Sequence, residues 1–85
     1  MAKVTARLTA TEAREAFPNI KGLDQIVSAE RFGDHLAIVN MGRGAHAVML
    51  NGNWEGCCPS RKFAMALVDK LADVVARHLS GTVRV

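Results

Sequence analysis

The sequence has no tyrosine, one tryptophan and three phenylalanines among 85 residues, so any core must be built mainly from aliphatic side chains. It has two cysteines, and they are neighbours, Cys57 and Cys58. Adjacent cysteines are poorly placed to bridge each other, because the small ring they would close violates normal disulfide geometry. No second cysteine pair is present to complete a zinc site with them, and the expectation is free thiols and no metal. No apolar run approaches the roughly 20 residues that span a bilayer, and MAKVTARLTATEAREAF lacks the apolar centre of a secretory signal. The expectation is a cytoplasmic protein with no membrane partner. G-x-S-x-G and H-E-x-x-H are both missing, and nothing else gathers a nucleophile with a base, so no enzyme, catalytic residue or cofactor is expected.

What is present is a chain 49% hydrophobic with a formal charge of +3. That is too apolar for disorder, and the mild basic excess permits a nucleic-acid partner. The length suits a single domain, residues 1–85. A chain this small buries only about 60% of its unfolded surface, so a homodimer is the expected support.

KVTARL, residues 3–8, alternates Val4, Ala6 and Leu8 with Lys3, Thr5 and Arg7, as a half-buried strand does. Thr9 and Glu12 have the spacing of a capping box and predict a helix starting near Ala10. Pro18 should stop it near Phe17. Leu23, Ile26 and Val27 share one helical face and predict a second short helix over 23–32, closed by Gly33. HLAIVN and AHAVML read as two strands around Met41-Gly42-Arg43-Gly44. NGNWEGCCPS reads as a loop with a turn at Asn51-Gly52. From Ser60, Phe63, Leu67, Leu71, Val74 and His78 run down a helix that Gly81 should terminate, and TVRV follows as a short strand or tail.

These elements predict an α+β fold in the order β-α-α-β-β-α. It has a small three-stranded antiparallel sheet with the helices packed on one side. Residues 1–52 form the sheet and helix core, and residues 59–79 form a C-terminal amphipathic helix.

Gly42-Arg43-Gly44 with Ala47 spells G-x-G-x-x-A, but the dinucleotide fingerprint needs a helix opening at its end. Here a strand and an Asn-Gly turn follow, so the glycines are read as a hairpin turn with Arg43 at its tip. The basic residues Lys3, Arg7, Arg14, Lys21 and Arg43 form the candidate nucleic-acid-binding set read from residue type. Phe63, Leu67, Leu71 and Val74 form the candidate partner-binding stripe, wider than a small sheet needs as cover.

Glu12-Ala13-Arg14-Glu15-Ala16-Phe17, followed by LAIVNMGRGAHAVML, resembles the Phd/YefM antitoxin family over residues 1–52. The C-terminal part departs from that family's acidic tail. The resemblance implies a homodimer whose N-terminal strands and first helices bind operator DNA, and a C-terminal segment that holds a toxin. Arg14 would then lead the DNA contacts, with Arg7 and Thr11 beside it. The function expected is a dimeric, DNA-binding, antitoxin-like transcriptional repressor that also binds a toxin protein. The alternative is a small non-enzymatic interaction module, an inhibitor or adaptor that holds a partner protein through its C-terminal helix or sheet edge.

Overall fold

The computed structural model describes residues 3–83 and, of these, the side chains up to Arg77. Strand β1 (Ala6–Thr9) leads directly into helix α1 (Ala10–Ala16). After a 3-10 turn at Leu23–Gln25 come β2 (Ser28–Phe32), β3 (Leu36–Asn40), β4 (His46–Leu50), β5 (Asn53–Cys58) and helix α2 (Arg61–Val83). The strands form one five-stranded antiparallel sheet in the order β1-β2-β3-β4-β5.

The start of α1 follows its sequence closely. The Thr9 side chain accepts from the Glu12 N–H at 3.3 Å, and the Glu12 carboxylate accepts from the Thr9 N–H at 3.0 Å. The helix closes at Phe17, one residue before Pro18.

The three-stranded expectation is overturned, for two separate reasons. Residues 23–32 are not a helix: the 3-10 turn takes three of them and β2 takes the last five. In β2, Ala29 faces one side of the sheet and Phe32 the other, and pairing on both edges satisfies its backbone. The apparent helical spacing of Leu23, Ile26 and Val27 comes from a connection laid over the sheet. Residues 53–58 are not a loop either. Asn51 and Gly52 have φ of 52° and 81°. Positive φ at both central residues is the twist a two-residue hairpin requires, and it folds β5 back on β4. Asn, Glu and Gly disguise this strand because they are poor strand formers.

The helices do not share one side. Buried residues fall into two clusters that alternate along the strands. Ala13, Phe17, Ile20 and Ile26 cover Ala29, Ala37, Val39, Ala47 and Met49. Ala64 and Val68 of α2 cover Phe32, Leu36, Ile38 and Val48 on the opposite face. The sheet is thus the middle of three layers. This explains why β3 and β4 are apolar runs rather than alternating patterns. Val4 and Leu8, expected on one face, join opposite clusters. Helix α2 also runs through Gly81 to Val83, leaving no terminal strand in TVRV up to that point. The His78 side chain lies outside the described residues.

Ile38 and Val68 are 2% and 0% exposed. Ile38→Ala should cost roughly 3 kcal/mol of unfolding free energy. Val27→Ala, at a position 54% exposed, should cost little. Urea denaturation of both variants checks the difference.

Candidate nucleic-acid interface

Strand register sets what lies at each end of the sheet. Thr9, Ser28, Asn40, His46 and Cys58 form one row across all five strands. Just beyond that row lie the start of α1, the β3–β4 turn and the start of α2. The turn packs against the α2 entry so closely that a Cβ on Gly44 would lie 3.2 Å from the Pro59 carbonyl oxygen. Ser60 starts α2, its hydroxyl accepting from the Phe63 N–H at 3.4 Å.

The β3–β4 turn is held by three kinds of bond. The Met41 N–H donates to the Ala45 carbonyl, and the Ala45 N–H to the Gly42 carbonyl, each at 2.9 Å. The Asn40 side chain accepts from the Gly42 N–H at 2.8 Å. The His46 Nδ1 donates to the Gly44 carbonyl at 2.8 Å, which leaves Nε2 as the free nitrogen. Gly42, Arg43 and Gly44 take φ of 77°, 53° and 81° in succession. Glycine adopts this region freely, but for arginine it is strained by about 1 kcal/mol. Arg43 is exposed and borders a hollow of about 280 Å3 shared with Gln25, Met41 and Gly42.

The structure brings only part of the predicted set to this end. Thr11 and Arg43 are there, both exposed. Lys3 is not. It precedes Thr5, whose hydroxyl accepts from the Gly33 N–H at the far end of the sheet. Arg14 is tied to the fold: its Nε donates to the Leu23 carbonyl at 3.0 Å and its Nη2 to the Ile26 carbonyl at 3.5 Å. It clamps the connection between α1 and β2 and so serves the core.

Arg7 lies two rows in, opposite Glu30. The Glu30 carboxylate accepts both the Nε and Nη2 of Arg61, at 2.8 and 3.0 Å, with Arg7 3.8 Å away. Arg61 and Lys62 were not singled out from the sequence. The run Ser60-Arg61-Lys62 at a helix start was the available signal. The hydrogen bonds from Arg61 hold the Glu30 carboxyl below the usual carboxylate range, against the opposing effect of its partial burial. The same bond raises Arg61.

The predicted partner-binding stripe also divides. Leu67 and Leu71 pack onto the α2-side core. Phe63 and Val74 stay 60% and 52% exposed. Among the described residues no group of three or more His, Cys, Asp or Glu is placed to hold a metal ion, and no helix is long and apolar enough to cross a membrane.

No family model, curated protein or solved structure matches this chain.

Because Glu30 is acidified in the fold, its pairing with Arg61 stabilises fully above the ordinary carboxylate value of 4.5 and fades as pH falls through the lowered one. Wild type should therefore lose its stability advantage over Glu30→Gln as pH drops below about 4.5. Thermal melts of both proteins from neutral pH to pH ~3 test this, and parallel curves would contradict it.

Proposed function

We propose that this protein binds DNA as an antitoxin-type transcriptional repressor. Its phosphate contacts come from the end of the sheet where the β3–β4 turn meets the start of α2. The observation that carries this reading is Arg43. A strained, exposed arginine stands between two glycines, at a position where asparagine or glycine would fit better. Such a residue suits a role outside the fold. The entry of a 23-residue helix packs on the same turn at Pro59, with Lys62 in its first turn, and a lysine and a helix start both attract phosphate. The net charge of +3 favours the encounter. Thr11 adds a hydroxyl at the same end.

A second reading has its own observation in Phe63 and Val74, the exposed remainder of the α2 stripe. A module that holds a partner protein, a toxin included, would use that flank.

Electrophoretic shift on duplex DNA from upstream of the chain's own reading frame tests the first reading. A complex should form at ~50 mM salt and weaken log-linearly with added salt. Arg43→Asn and Lys62→Gln should each lower the salt slope by about one. Arg43→Asn should also hold or raise stability, because asparagine tolerates the backbone that strains arginine. Arg14→Ala should instead cost about 1 kcal/mol of stability through its lost carbonyl bonds. No complex at ~50 mM salt would overturn the proposal.

A further inference from the structure

The two edges of the sheet are protected differently. β1 has four residues and carries Arg7, which is paired with Glu30. A short, charged edge resists adding another strand. β5 is the longest strand, with six residues and a single charge, Glu55. Its register with β4 steps from Val48↔Gly56 to Met49↔Trp54, leaving Glu55 as the extra residue of a bulge. Among the described residues, the outward backbone groups of β5 have no partner strand.

Apolar side chains flank that open edge on both faces. Trp54 pairs with Met49, whose side chain belongs to the α1-side cluster, and is 44% exposed. On the other face α2 leans over β5 through Leu67, which a Cβ on Gly56 would approach to 3.3 Å. Phe63 and Val74 lie four residues before and seven after Leu67, on the same helix flank. They are 60% and 52% exposed. Within the chain, the seam between β3 and β4 is closed by apolar groups on both faces. The outer side of β5 repeats that arrangement with half of it missing.

We propose that the missing half is a second copy of this chain. β5 pairs antiparallel with its counterpart about a two-fold axis, with Phe63, Leu67 and Val74 of each copy closing one face and Trp54 the other. Antiparallel pairing of a strand with itself satisfies the outward groups of both copies in one operation, so the surface is its own complement. The charges agree with this. The flank carries Lys70 and the strand carries Glu55, so each copy presents the other with a cation and an anion. The seam is small relative to the roughly 800 Å2 per partner of a standard interface, so a concentration-dependent dimer is expected.

Sedimentation equilibrium under reducing conditions, from low-micromolar to submillimolar protein, provides the test. Wild type should rise from 9.2 kDa towards twice that mass. Phe63→Glu on the flank and Cys57→Lys on the exposed strand should each raise the midpoint concentration at least tenfold. Val27→Glu, on another surface, should leave it unchanged. All three positions are exposed, and circular dichroism checks that each variant keeps its fold. β5 amides should also gain hydrogen-exchange protection as wild-type concentration rises, a readout that needs no variant. A 9.2 kDa mass throughout overturns the proposal. So does a dimer indifferent to Phe63→Glu and Cys57→Lys, or an assembly larger than two copies.

Discussion

Everything in this fold depends on two strands that cannot face water on either side. Along β3, Leu36, Ala37, Ile38 and Val39 are all buried, and so are Ala47, Val48 and Met49 of β4. An antiparallel sheet commonly leaves one face solvated, but here that would expose alternate residues of both central strands. The chain must therefore supply two covers. The first is α1 with the connection from Phe17 to Ile26, and the second is α2. With few aromatic residues, these layers close through small and branched side chains. Ala13, Ala47 and Ala64, all 0% exposed, let the covers approach the sheet closely.

Two covers on one small sheet assign two arginines to structural work. Arg14 anchors the α1-side cover through the carbonyls of Leu23 and Ile26. Arg61 ties the start of the other cover to β2 through Glu30. Two other places carry exposed side chains that these duties do not use. One is the end of the sheet where Arg43 and Lys62 lie, and the other is the β5 edge with Phe63, Val74 and Trp54. The first suits polyanions and the second suits a strand. They occupy different parts of the surface, so the proposed DNA contact and the proposed self-association do not compete for one patch.

The sequence was legible where local chemistry dominated. The capping box at Thr9 and Glu12, the stop before Pro18, the turn at Asn51-Gly52 and the hairpin around Gly42-Arg43-Gly44 were all readable from short-range rules. It misled where tertiary pairing overrode local pattern. β2 contains Glu30 and Arg31, which are accounted for there by Arg61 and Arg7 beside Glu30 and by the Phe17 ring, 5.2 Å from the Arg31 guanidinium. β5 carries Asn53, Glu55 and Gly56, residue types common in loops, and it is a strand because β4 offers it an edge. The second cover was hidden for the same reason. The long apolar runs of β3 and β4 could equally have been strands against one helix layer and a partner. For the candidate site, Arg43 was named from residue type and Thr11 through the family resemblance. Arg61 and Lys62 needed the register that brings the start of α2 beside the turn.

The two-cover account is tested most directly by native-state hydrogen exchange. The amides of Ala37–Val39 and Ala47–Met49 that bond across the β3–β4 seam should exchange most slowly, and only through global unfolding. Their protection should fall together when either cover is weakened, by Ala13→Asp under α1 or by Val68→Asp under α2. If one substitution left these amides fully protected, the sheet would not need that cover, and the account would be wrong.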